Sequence, residues 1–124
     1  MPLVVWVYND EIMDRYQNPL YYGALEKFDL KIDEPSSSCG DKVTLYLRIK
    51  EGRIEDMRWE GEGCIISMVS TDMFCGDAIG KQIEELENMD DSALLERFPI
   101  KVTSGRYNCV LLPLKAIKKL KKEK

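Results

Sequence analysis

The chain contains no histidine. That absence removes the Ser-His-Asp and Cys-His schemes of nucleophilic catalysis and every metal site built on imidazole. Long apolar runs are missing as well. None approaches the ~20 residues of a membrane span, and the start, Met1-Pro2-Leu3-Val4-Val5-Trp6, lacks the basic stretch of a secretion signal. Nor is there an excess of positive charge: 18 Lys and Arg against 22 Asp and Glu give a formal net charge of −4, which argues against nucleic acid as the main partner. The expectation is a cytoplasmic protein without nucleic-acid or membrane partners, whose chemistry rests on thiols and carboxylates.

What is present fits that frame. At 124 residues, with 44% apolar and 32% charged, residues 1–124 read as one domain large enough for a hydrophobic core. No repeat, linker or low-complexity segment interrupts it. Of four cysteines, three stand in distinctive surroundings: Ser38-Cys39-Gly40-Asp41, Gly61-Glu62-Gly63-Cys64, and Arg106-Tyr107-Asn108-Cys109. In a reducing compartment, scattered cysteines point to metal or sulfur chemistry more than to disulfides. Their wide separation is not that of a zinc ribbon with its paired CxxC ligands. The flanking residues therefore carry the signal, not the spacing.

Periodicity supplies the frame. Val4, Val5, Tyr8, Ile12 and Tyr16 recur at helical spacing over residues 4–17, ahead of Asn18-Pro19. Residues 24–32 alternate in the manner of a strand, with one slip, and 34–41 form a loop by composition. Val43, Leu45, Leu47 and Ile49 line one face of a strand that turns at 50–53 and returns over 54–59. Gly61-Glu62-Gly63 is expected to break that strand and lead into a helix from Cys64 to Ile79. Two short helices follow at 82–88 and 90–97, and Cys109 opens the last, with Pro113 in about its first turn. Strands first and helices after predict an α+β fold, a small antiparallel three-stranded sheet with helices packed on one face.

Cys39, Cys64 and Cys109 each fall at a loop tip or helix start. A helix N-terminus favours the thiolate, the form that binds metal or accepts sulfur. Gly40 and Gly63 leave room for close approach to the backbone. Asp41, two after Cys39, reads either as a turn residue before a strand or as an oxygen ligand. Arg106 pairs with Asp41, or holds Cys109 as thiolate, or faces solvent. Cys75 lies eleven residues after Cys64, on the same helix face but roughly 16 Å along the axis, and is expected to pack as a small core residue. The basic end, Lys115 to Lys124, reads as a helix C-terminus carrying cations or as a docking surface for an acidic partner.

Ile12-Met13-Asp14-Arg15-Tyr16-Gln17-Asn18-Pro19 with Gly23, the Cys39-Gly40-Asp41 loop, Gly61-Glu62-Gly63-Cys64-Ile65-Ile66-Ser67, Gly80-Lys81 and Arg106-x-x-Cys109 together resemble the iron–sulfur cluster assembly scaffolds of the IscU/SufU/NifU N-terminal family. The resemblance runs in order along nearly the whole chain. It implies an IscU/SufE-like fold in which Cys39, Asp41, Cys64 and Cys109 surround one site for a labile [2Fe-2S] cluster, or for zinc, supported by Arg106. It also implies a cysteine desulfurase as sulfur donor and apo iron–sulfur proteins as recipients. There are departures. Asn108 stands where one branch has a histidine before the third cysteine, while the spacing from Cys64 to Cys109 is the short one of that same branch. Arg106 matches the other branch, which is a zinc-bound sulfurtransferase. Phe98-Pro99-Ile100-Lys101-Val102 replaces the Leu-Pro-Pro-Val-Lys segment read by a dedicated chaperone, which argues against chaperone recognition. The expected role is a scaffold and carrier rather than an enzyme.

Overall fold

Alternating apolar residues in the middle of the chain build the sheet on which everything else is placed. The computed structural model describes residues 10–35 and 41–123. Helix α1 covers Asp10–Gln17, strand β1 Leu30–Pro35, β2 Lys42–Lys50, β3 Arg53–Glu62, α2 Ile65–Ala78, α3 Ile83–Glu87, α4 Asp91–Arg97 and α5 Tyr107–Glu123, with a 3₁₀ turn at Ser104–Arg106. The sheet is antiparallel throughout, in the order β1-β2-β3. The predicted α+β architecture is the observed one. No helix among the described residues is long and apolar enough to cross a membrane.

The β2–β3 hairpin turns on Glu51 and Gly52, whose φ values of 55° and 79° are both positive, the backbone that matches strand twist in a two-residue turn. Arg48 pairs with Asp56 but Ile49 pairs with Ile54, so Glu55 is an extra residue in the ladder. The bulge explains an otherwise broken alternation: Ile54 and Met57, three apart, are both buried on the inner face. With Ile32, Val43, Leu45, Leu47 and Trp59 they form one core with the helices. Helix α2 packs against β3 and α5, α5 against β1 and β2, and α1 against α2. The outer face is polar apart from Tyr46, which is covered by the Phe28 ring at 5.3 Å and donates to Glu60 Oε1 at 2.7 Å.

Helix α2 is buried on nearly all sides, including Ser67, Ser70, Thr71 and Asp72. Such a helix must satisfy its polar groups internally. Ser70 Oγ donates to the Val110 carbonyl at 2.6 Å and Thr71 Oγ1 to the Ser67 carbonyl at 2.8 Å. Asp72 is a hub. Its carboxylate accepts from Arg15 Nε, from the backbone N–H groups of Leu20 (3.0 Å) and Tyr21 (2.8 Å), and from the Trp59 indole (2.9 Å). These bonds dock α1 and residues 20–21 onto α2 and tie α2 to β3, where Tyr22 also stands edge-on to Trp59. Beyond α2, Gly80 takes φ +93° and its N–H reaches the Ile54 carbonyl at 2.8 Å, tying the helix end to the hairpin.

Three expectations on local structure need correction. The first strand begins at Leu30, not at residue 24, and runs on to Pro35, because Phe28 turns to the outer face to cover Tyr46. Gly61-Glu62 does not break β3, since Glu62 still pairs with Lys42. The last helix begins at Tyr107, two residues before Cys109, because the 3₁₀ turn at 104–106 feeds directly into it. Pro113 therefore sits in the second turn. The helix expected from residue 4 is described from Asp10, and Val4, Val5 and Tyr8 lie outside the described residues.

Candidate metal centre

The register of the hairpin fixes the site. Lys42 pairs with Glu62, so Asp41 and Gly63, one step outward on each strand, stand side by side where β3 hands over to α2. Their closeness requires glycine: a Cβ on Gly63 would lie 2.5 Å from Asp41 Cγ, and one on Gly61 only 2.4 Å from the Lys42 carbonyl oxygen. The Gly-x-Gly-Cys motif is thus first a device for seating the Asp41 carboxylate. Gly63 leaves its space to Asp41 rather than to an approaching partner.

Asp41 is buried and points at the start of α2. Its Oδ1 accepts from the Cys64 backbone N–H at 3.2 Å, and its Oδ2 accepts from the Ser67 hydroxyl. Cys64 is the N-cap of α2, and its sulfur accepts from the Ser67 backbone N–H at 3.4 Å. One helix N-terminus thus faces both a carboxylate and a thiol. From the other side the first turn of α5 brings in Cys109, buried, so that one ligand-type atom each from Asp41, Cys64 and Cys109 lies within 4.8 Å of the others.

Three of the four residues expected at a site therefore meet, drawn from three separate places in the chain. The fourth, Cys39, lies outside the described residues. The donor set fits a soft or borderline metal: two thiols and a carboxylate converge without an imidazole. Arg106 is exposed in the 3₁₀ turn ahead of α5. Asn108 is exposed, and its Oδ1 accepts from Lys115 at 2.8 Å.

Cys75 behaves as expected of a core residue. It is fully buried, and burial first, then the nearby Asp72 charge, push its thiol well above the ordinary range. A thiol held neutral in this way is a poor ligand. Among the described lysines of the basic end, Lys118 pairs with Asp91 at 3.2 Å, and Lys119 reaches both Glu34 Oε1 and the Asp33 carbonyl at 2.7 Å. Sequence reasoning passed over Ser67 and Asp72. The available signal was a run of polar residues, Ser67, Ser70, Thr71 and Asp72, inside an otherwise apolar helix, where each hydroxyl or carboxylate must have a purpose.

Comparison with known proteins gives a consistent picture. The family model described as the NifU-like N terminal domain matches residues 7–121. The chain is 29% identical over 133 aligned positions to the iron–sulfur cluster assembly scaffold protein IscU of Thermotoga maritima, with 94% of each chain covered. It is 37% identical to the zinc-dependent sulfurtransferase SufU of Bacillus subtilis, over 67% of this chain and 56% of that protein. Among solved structures, a candidate cluster assembly scaffold of the SUF system from Fervidobacterium islandicum superposes with a TM-score of 0.71 at 28% identity, covering 93% of this chain and 96% of that one. A NifU-like N-terminal domain from Brucella abortus gives 0.76 at 22% identity, covering 98% and 96%, and so speaks for the fold alone.

Proposed function

The chain belongs to the NifU-like N-terminal domain family, and from that premise we propose that it is a scaffold on which a labile [2Fe-2S] cluster is assembled and from which it is passed to apo-proteins. The observation that carries this reading is the convergence of Asp41, Cys64 and Cys109 within 4.8 Å. Residues 1–124 act as one domain in this reading, and Cys39, Asp41, Cys64 and Cys109 are the ligands. The cluster is cargo: iron arrives, sulfur arrives as the persulfide of a cysteine desulfurase and is reduced by two electrons from a thiol or other electron donor to sulfide, and the product leaves. Three thiolates and one carboxylate hold iron less firmly than four thiolates, as release demands. The protein then serves as a carrier rather than an enzyme, working in the reducing cytoplasm where Cys64 and Cys109 stay out of disulfides.

The chain's own residues account for much of what such a role needs. Gly63 admits the carboxylate, and the α2 N-terminus steadies it. The rival reading, a zinc-bound sulfurtransferase that accepts persulfide sulfur, draws on the similarity to SufU. The scaffold is preferred because the IscU match spans nearly all of both chains, whereas the SufU match covers a shorter part of each.

The test is anaerobic reconstitution with iron, cysteine, a cysteine desulfurase and a thiol reductant such as dithiothreitol. Iron and sulfide bound in equal amounts, with a [2Fe-2S] chromophore that an apo-ferredoxin can take up, support the scaffold. Tightly held zinc, faster desulfurase turnover and no chromophore would replace it with sulfur transfer.

A further inference from the structure

We propose that Ser67 is a positioning residue whose hydroxyl holds the Asp41 carboxylate beside the Cys64 thiol, so that the two donors face one metal position. The inference rests on the reading of Asp41 and Cys64 as ligands and adds the group that brings them together. Ser67 is fully buried. Its hydroxyl donates to Asp41 Oδ2 and stands 3.3 Å from Cys64 Sγ, while its backbone N–H donates to the same sulfur. One side chain therefore contacts both candidate ligands, which are 23 residues apart in sequence.

The neighbouring hydroxyls show that this reach is a choice. Thr71 Oγ1 bonds back to the Ser67 carbonyl one turn earlier in α2, the usual local solution for a buried helical hydroxyl. Ser67 does not bond back. It crosses instead to the residue just ahead of β2, and so ties the strand start to the helix start. A hydroxyl has a single proton to donate, and the close contact places that proton on Asp41. A carboxylate oxygen carries two lone pairs, so accepting from Ser67 does not by itself bar it from a metal. Outer hydrogen bonds of this kind orient metal ligands, and their loss typically lowers metal affinity by about 10–100-fold.

Co²⁺ is the probe, because its thiolate charge-transfer and visible ligand-field bands report ligand identity without any cluster chemistry. It is titrated into the parent, Ser67→Ala, Asp41→Ala and the double variant, each checked for folding by circular dichroism. The expectation for Ser67→Ala is a Co²⁺ affinity about 10–100-fold lower, with the visible band moved to the position it has in Asp41→Ala. In the Asp41→Ala background the same change should have little further effect, since residues acting on one another are not additive. Parent-like affinity and band position in Ser67→Ala overturn the proposal, as does an equal loss in both backgrounds. A parent protein that binds no Co²⁺ at all rejects the metal reading of the site itself, and the proposal with it.

Discussion

Two carboxylates are buried along the same helix, and they face opposite tasks. Asp72, in the body of α2, is completely enclosed and receives Arg15, two backbone N–H groups and the Trp59 indole. Every donor comes from an element that must be docked, so the group works as a fastening. Asp41, at the head of α2, has the Cys64 backbone N–H and the Ser67 hydroxyl among its donors and shares its surroundings with two thiols. The same burial thus accompanies two kinds of environment: one carboxylate closed off by N–H donors, the other beside soft ligand atoms. A buried acid reads as structural or functional according to its neighbours, and burial alone does not decide.

The sharpest way to break the comparison is Asp72→Ala. It leaves the part-buried Arg15 guanidinium, the Trp59 indole and the Leu20 and Tyr21 amides without their acceptor. Removing one partner of a buried pair costs about 3–5 kcal/mol, and urea unfolding should show a loss of that size. Metal binding should fail with the fold. Recovery of parent stability would mean that Asp72 does not dock α1.

At the head of the helix the losses should separate. Cys109→Ser should abolish stable binding of the cluster or of Co²⁺, while the unfolding midpoint moves much less than in Asp72→Ala. Retained binding at parent strength would remove Cys109 from the ligand set. Gly63→Ala should fall between: its Cβ would press on Asp41 Cγ at 2.5 Å, a close packing conflict of about 1–3 kcal/mol. Since Asp41 is held by hydrogen bonds, the conflict is relieved by moving the carboxylate. Weaker Co²⁺ binding with a changed visible band is expected, and a crystal structure of the variant would show whether Asp41 has left Cys64.

Legibility differed in the same way between these regions. The hairpin, the extent of α2, the two short helices and the core role of Cys75 followed from period and composition, because each rests on local preference plus one apolar face. The convergence of Asp41, Cys64 and Cys109 followed only from resemblance, since their meeting depends on hairpin register and on the packing of α5 over the sheet. Ser67 and Asp72 were not recognised. Their roles are made by partners 26 and about 50 residues away, and no local pattern encodes which buried hydroxyl crosses to another element. The Glu55 bulge was hidden for a related reason: an extra residue in one strand shows only against its partner.

The smallest effect is expected at Cys75, the thiol that neighbours the fastening acid rather than the proposed ligand. Cys75→Ser places a hydroxyl in a fully buried site, with a penalty of about 1 kcal/mol near neutral pH, and Co²⁺ binding should be unchanged. The pH dependence sharpens the point. Burial and the Asp72 charge raise the folded-state value of this thiol well above the ordinary 9.0, so the folded protein keeps a proton that the unfolded chain gives up. Its contribution is complete below the unfolded value and is lost as pH rises toward the folded one, with a slope of about 1.4 kcal/mol per pH unit in that interval. Tyr46 is also raised, chiefly by its hydrogen bond to Glu60, and contributes its own alkaline limb starting near 10.0. In Cys75→Ser the decline that begins near 9 should disappear and the later tyrosine limb should stay. Urea unfolding at steps from pH 8 to 11 reads both, and an unaltered profile in the serine variant would show that Cys75 is not shielded by Asp72 and the core in the way described.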